Sequence, residues 1–294
     1  MLSILIPIYN FNVVDFVTDL QSQASECNVD FEILCLDDGS TLFKVENKGV
    51  ENLINVTYTE LPENVGRSKI RNLLAEKAQY SNLLFLDCDS STRDNQFVRR
   101  YIDNISPTDV IYGGRCYEEI SPVDANTYFR WWYGVQRETI SVGQRLKQPY
   151  HSFMTNNFLI PKSVYLAIKL DESLKGYGHE DTLFGLELKK RGVVIEHIQN
   201  PLCHVGLESL EEYFSKTEEG IRNLKSLIGA KKIDDSVKLF RFYNLLKRFG
   251  LKTIIFNYYA KNKLTILQRL DKKEPNLMWF DLYKLGYLIS LTKS

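Results

Sequence analysis

The 294 residues include only five cysteines and four histidines. Cys27, Cys35, Cys88, Cys116 and Cys203 are scattered, odd in number and without a CxxC pair. That pattern speaks against both a zinc site and a disulfide framework, and for a reducing compartment. No stretch approaches the roughly 18 uninterrupted apolar residues of a membrane span. The N-terminus, MLSILIPIYN, is apolar for eight positions without a basic leader, which is too short for a signal peptide. A cytoplasmic chain is expected. The glycine patterns of two common nucleotide folds are missing too. Neither GxGxxG after the first apolar run nor GxxxxGK[ST] occurs, which argues against a dehydrogenase or a P-loop phosphotransferase. Nor is there net charge: 37 basic residues balance 37 acidic ones, so nothing global favours nucleic acid.

What remains is an ordinary globular composition, 44% hydrophobic and 25% charged, on a length suited to two domains or to one α/β domain with an appendage. The neutral total hides a division. Residues 231–294 hold 14 Lys and Arg against 5 Asp and Glu, an excess of +9 that the rest of the chain must balance.

Short apolar runs alternate with amphipathic stretches through the first half. Ser3–Ile8, Phe31–Leu36, Asn55–Thr59 and Ser81–Leu86 read as strands, with helices over Val13–Gln23 and Ser68–Gln79. Such alternation predicts a doubly wound, mostly parallel α/β sheet flanked by helices. Ligands of such sheets bind at the carboxyl ends of the strands, where the acidic clusters fall. Further on, Val110–Gly113, Phe158–Ile160 and Val193–Glu196 read as short strands, the last of these closing the series. Thr182–Arg191 reads as a helix, and everything after Leu207 as helical.

Asp87-Cys88-Asp89 places two carboxylates on one side of an extended segment, where they can hold a hard divalent cation through oxygen. A solvated polar turn is the plain alternative. Asp37-Asp38-Gly39-Ser40 reads either as an Asx turn or as a carboxylate accepting the imide N–H of uracil. Asn64-Val65-Gly66-Arg67-Ser68 leads into a helix bearing Arg71, so positive charge gathers where the helix dipole also favours anions. Gly178-His179-Glu180-Asp181 opens another helix with two carboxylates, as capping or as a fixed general base. His204 stands alone, as a core histidine or as a metal ligand.

Taken in order, SILIPIYN (3–10), LDDGS (36–40), NVGRSKIRN (64–72), LDCD (86–89) and GHED (178–181) resemble the family 2 glycosyltransferases of the GT-A fold, over residues 1 to about 206. The resemblance implies an inverting enzyme moving a sugar from a nucleotide-diphosphate donor to a hydroxyl of a saccharide or lipid-linked glycan; an Asp suits the uracil imide and so favours UDP, with GDP and dTDP left open. It implies that Pro7 and Tyr9 line the base pocket with Asn10, that Asp37 and Asp38 read uracil, and that Asn64, Gly66, Arg67, Arg71, Asp87 and Cys88 lie along the donor. Asp89, with Asp87 and His204, would hold Mn²⁺ or Mg²⁺. Asp181 would be the base and Glu180 its neighbour on the acceptor side. One departure is His179, which stands where an aromatic residue often precedes the ED pair. A nucleotidyltransferase and a non-catalytic nucleotide-sugar-binding module are the alternatives. The first lacks its glycine- and basic-rich loop after strand one, and the second would not retain every carboxylate.

Trp131, Trp132, Asn156 and Asn157 lie between the DCD and GHED segments. Flat rings suit sugar faces and amides suit hydroxyls, although core filling explains the aromatics equally well. The expected division is a catalytic domain over 1–206, with a nucleotide half (1–90) and an acceptor half (91–206), and a basic, aromatic helical extension over 207–294. Within 231–294, Leu239, Phe242, Tyr243 and Leu246 recur at helical spacing among Lys238, Arg241, Lys247 and Arg248. That pattern suits either a packed appendage or a helix lying on the inner face of an anionic membrane.

Overall fold

Strand β1 (Leu2–Ile8) is buried at every position, as an unbroken apolar run covered on both faces requires. The computed structural model describes residues 1–174, 176–233 and 235–292. Around β1 lie β2 (Phe31–Asp37), β3 (Val56–Glu60), β4 (Asn82–Leu86), β5 (Ser90–Ser91), β6 (Val110–Tyr112), β7 (Arg115–Cys116), β8 (Asn157–Pro161), β9 (Ile195–His197) and β10 (Leu202–His204). Seven strands form one sheet in the order β3-β2-β1-β4-β8-β6-β9, and β5-β10-β7 form a second, smaller one. In the large sheet only β8 runs antiparallel to its neighbours.

The helices are α1 (Val14–Ser25), α2 (Lys44–Lys48), α3 (Arg67–Lys77), α4 (Phe97–Ile102), α5 (Tyr128–Tyr133), α6 (Val142–Arg145), α7 (Lys162–Ile168), α8 (Glu180–Lys190), α9 (Leu210–Gly229), α10 (Lys238–Arg248), α11 (Lys252–Leu270) and α12 (Met278–Leu291). Among the described residues no helix is long and apolar enough to cross a membrane.

The chain divides into two compact units, Met1–Glu118 with Glu138–Ser173 and Glu180–Gly206, and Glu119–Arg137 with Leu174–His179 and Leu207–Ser294. In the first, the two-residue period of β1 sorts its side chains between two cores. Leu2, Ile4, Ile6 and Ile8 join Val17 and Leu20 of α1 on one face. Leu5 joins Ile70 and Leu74 of α3 and Phe184 of α8 on the other. Each such side chain, fully buried, contributes about 1.5–3 kcal/mol.

The second unit has an aromatic core in which Phe129 of α5 meets Tyr213 and Phe214 of α9, Tyr259 of α11, and Phe280 and Tyr283 of α12. Its entry helix, α9, is fixed by a capping box between Ser209 and Glu212, which satisfies two otherwise open N–H groups.

Several boundaries move for physical reasons. Asn55 takes a left-handed φ of +64°, so β3 begins only at Val56. The strand expected from Val193 starts at Ile195, and it is not the last, because β10 follows. Three residues bounded by Pro201 and Gly206 are too few to show a period. Helix α8 begins at Glu180, two residues before the apolar repeat announces it.

Candidate active site

The carboxyl ends of β2, β1 and β4 lie side by side. After β2 the chain turns at Gly39, whose φ of +69° and approach to the Glu63 backbone (2.7 Å from where a Cβ would stand) leave room for no side chain. Asp37 is buried and accepts from the Ser40 N–H (2.7 Å) and the Tyr58 hydroxyl (2.9 Å). Asp38 accepts from the backbone N–H groups of Val65 (2.7 Å) and Gly66 (3.1 Å). Burial raises its pKa, a rise that those two bonds partly offset. Asp38 thus holds the loop that delivers α3, and Asp37 ties its own turn to β3.

The first turn of α3 is where four of the motifs meet. Asp38 holds the residues just before it. Arg71, buried, forms an ion pair with Asp87 after β4 and donates to the Arg67 carbonyl (3.0 Å). Arg67, which remains partly exposed, pairs with Glu180 at 2.6 Å. Residues 38, 67, 71, 87 and 180 are therefore gathered about one helical turn, although Arg67 and Glu180 are 113 positions apart in sequence.

Asp89 stands two residues beyond the Arg71 partner. The small sheet fixes it: His204 of β10 is registered with Ser90 of β5, and the N–H groups of Val205 (2.9 Å) and Gly206 (3.3 Å) donate to the Asp89 carbonyl. His204 Nδ1 lies 3.4 Å from Asp89 Oδ1, and Tyr117 meets the imidazole edge-on at 5.5 Å. Gly206 is needed here, since a Cβ would come within 2.6 Å of the Asp89 Cβ. Sequence reading passed over both Tyr117 and Gly206; the glycine two residues after His204 was the available signal.

Among the described residues no three His, Cys, Asp or Glu side chains form a ready metal shell. One carboxylate oxygen and one imidazole nitrogen at this spacing do fit two adjacent positions on a small cation, where ligands at ~2.1 Å stand about 3 Å apart. Asp87 already shares its charge with Arg71.

Glu180 and Asp181 open α8 with opposite tendencies. Burial pushes Glu180 up, but the Arg67 guanidinium and hydrogen bonds outweigh it and hold the carboxyl below its ordinary range. Asp181 is pushed up to about 7 by burial and by the charge of Glu180 beside it, against a hydrogen bond from the Thr182 N–H. One carboxylate is held ionised, and its neighbour is poised near neutrality.

Other expected residues sort differently. Tyr9 is 52% exposed after β1. Pro7 is buried near the carboxyl end of β1, level with Leu36. Asn10 organises the neighbouring turn, accepting from the Thr41 (2.8 Å) and Leu42 (3.1 Å) N–H groups. Asn64 is exposed, while Gly66 caps α3. The Cys88 thiol is pushed up to about 12 by burial and the Asp89 charge, and stays neutral.

Asn157 is a correction. Its side chain is wholly buried, donates to the Gly114 and Asn200 carbonyls and accepts from Tyr101, which leaves nothing for a ligand. Asn156 differs. Its backbone carbonyl takes the Asp87 N–H (3.0 Å), and its buried side-chain oxygen has no partner among the described residues. Trp131 and Trp132 belong to the other unit, half-buried on α5, where the Trp132 indole donates to the Pro275 carbonyl (3.1 Å). Core packing accounts for much of Trp132.

A family model described as "Glycosyl transferase family 2" matches residues 3–165. Among solved structures, the mannosyltransferase PcManGT from Pyrobaculum calidifontis, in complex with GDP-Man and Mn²⁺, is similar over 99% of this chain and 86% of its own, at 10% identity and a TM-score of 0.61. S. aureus TarS 1-349 in complex with UDP-GlcNAc matches over 99% of this chain and 91% of its own, at 15% identity and a TM-score of 0.49. The chain spans 43% of the longer S. aureus TarS, with 17% identity and a TM-score of 0.46 over 77% of this chain. No curated protein matches the sequence. The likeness to PcManGT is one of fold, and with the helix-flanked, mostly parallel sheet and helical C-terminal region it gives the GT-A architecture expected.

Proposed function

Because the chain belongs to glycosyl transferase family 2, we propose that it moves a sugar from a nucleotide-diphosphate donor to a hydroxyl acceptor by a single inverting displacement, with the catalytic residues in 1–206 and residues 207–294 as an extension. The observation that carries this reading is the gathering of Asp38, Arg67, Arg71, Asp87 and Glu180 about the first turn of α3. A helix N-terminus with two arginines is suited to a diphosphate, and the same turn is tied to the carboxylates that border both donor and acceptor chemistry.

The roles follow from charge and protonation. Asp181 takes the acceptor hydroxyl proton as the new glycosidic bond forms, since a carboxyl poised near neutral pH is both available as a base and strong enough to act. Glu180, kept ionised by Arg67, raises the basicity of Asp181 and accepts a hydrogen bond from the acceptor. Arg67 and Arg71 face the diphosphate oxygens. Asp89 and His204 are the residues that would hold Mn²⁺ or Mg²⁺, with Asp87 oriented beside them by Arg71. Bound there, the cation would supply neutralisation of the departing diphosphate. Tyr9 offers an exposed ring to the base, and the Asp38 edge favours uracil. The unpartnered Asn156 oxygen suits a sugar hydroxyl.

A panel of UDP-, GDP- and dTDP-sugars with Mn²⁺ tests the reading through donor hydrolysis and transfer. Turnover with one nucleotide series, abolished by EDTA and giving the inverted anomer, is expected. Absence of turnover from every donor, or turnover indifferent to EDTA, would sink it.

A further inference from the structure

Helix α10 lies beside α12 with Leu239, Tyr243 and Leu246 half-buried, yet part of its apolar surface is left uncovered. None of its eleven residues is buried. Phe242 and Leu245 are 45% and 47% exposed, and the exposed series continues through Phe249 (64%) at the turn and Ile254 (63%) on α11. Intervals of three and four residues place Phe242, Leu245 and Phe249 along one side of α10, and Ile254 follows beyond the Gly250 turn, in the first turn of α11. Lys252 fixes this αα-hairpin by donating to the Tyr243 hydroxyl at 2.9 Å. Single exposed apolar residues need no explanation, but a continuous series does.

Charge identifies what covers it. From Ser236 to Leu270 the chain carries eight basic residues and no acidic one. Among the described residues only Lys263 of these eight forms an ion pair, with Glu218. Lys238, Arg241, Lys247, Arg248 and Lys261 are exposed. A second copy meeting this face with its own would oppose like charges and be repelled. An anionic bilayer accepts both features, taking the apolar side chains at the acyl boundary and the basic groups among the phosphates, with their stems lying along the interface.

We infer that the α10–α11 hairpin is a peripheral docking surface for an anionic phospholipid bilayer. Phe242, Leu245, Phe249 and Ile254 enter the interface, and Arg241, Lys247 and Arg248 meet the headgroups. The inference stands apart from the glycosyl-transfer reading, because its readout needs neither donor nor acceptor.

Cosedimentation of the full chain with phosphatidylcholine vesicles, with and without phosphatidylglycerol, tests it. Binding to the mixed vesicles alone is expected, and it should fall as salt rises. The triple variant R241Q/K247Q/R248Q should bind about a hundredfold more weakly, since each basic residue near an anionic surface is worth about fivefold. F249S/I254S should also lose binding. Both variants should keep the wild-type thermal midpoint, because no altered side chain is buried. Equal binding to both vesicle types, or to neither, overturns the inference. So does a self-associated wild type that F249S/I254S converts to monomer without changing vesicle binding.

Discussion

Two acidic turns flank β1, one after β2 and one after β4, and they use their carboxylates in opposite ways. Asp37 and Asp38 accept four hydrogen bonds from their own protein, from Ser40, Tyr58, Val65 and Gly66. Asp87 and Asp89 face side chains that carry or can carry charge, Arg71 and His204. The first turn is structural in its wiring and the second is electrostatic. A carboxylate's usefulness to a ligand depends on the capacity left after the backbone has drawn on it.

The contrast is open to attack by substitution, from the largest expected effect downward. Asp89→Asn should take metal-dependent turnover below detection with little change in thermal midpoint, because it removes a charged oxygen from a partly exposed site. Full activity with unchanged Mn²⁺ response would erase the distinction. Asp181→Asn should slow turnover by about 10²–10⁴-fold, the usual worth of a general base, while leaving donor affinity intact; an undiminished kcat would move the base elsewhere. Asp37→Ala should behave in the reverse sense. It strands the Tyr58 hydroxyl and the Ser40 N–H in a buried site and costs about 2–4 kcal/mol of stability, seen as a lowered thermal midpoint. An Asp37→Ala enzyme that melts normally but has lost turnover would mean that Asp37 itself, and not only the Asp38 edge, faces the ligand.

The smallest effect concerns pH. As the proposed base Asp181 would have to be ionised, and its carboxyl is raised to about 7 by burial and by Glu180. Turnover should therefore climb with pH up to about 7 and level off above it. Glu180→Gln removes one of the two causes, so the inflection should move to lower pH whatever happens to its height. An inflection that stays in place would show that burial alone sets it.

Much of the scaffold was legible, because β1, β2 and β4 are apolar runs of five to seven residues, β3 opens on an alternation of buried and exposed positions, and the strands give way to acidic or polar residues. The pieces that failed to show are short or non-local. β5, β7 and β10 hold two or three residues each, too few for any periodicity to register. The Arg67–Glu180 pair joins distant residues that no local pattern connects. Asn156 and Asn157 are adjacent and chemically identical, yet one oxygen is open and the other amide is fully engaged. Only the fold tells them apart. The helical tail was likewise plain, whereas the division of its aromatics between a buried core and an exposed hairpin was not.

The three-stranded sheet also sets an order of assembly. A growing polypeptide at ~5–20 residues per second has all of β1 to β4 once Leu86 has emerged, and these four can pair at once. Asp89 follows within three residues, but its imidazole neighbour is still 115 positions from being made. β5 and β7 have no partner strand until β10 arrives. A chain stalled or cut between Asp89 and His204 would thus carry β1 to β4 with the Asp89–His204 pair incomplete, and, if that pair holds the proposed cation, nascent-chain fragments should gain protease resistance well before they gain any response to Mn²⁺.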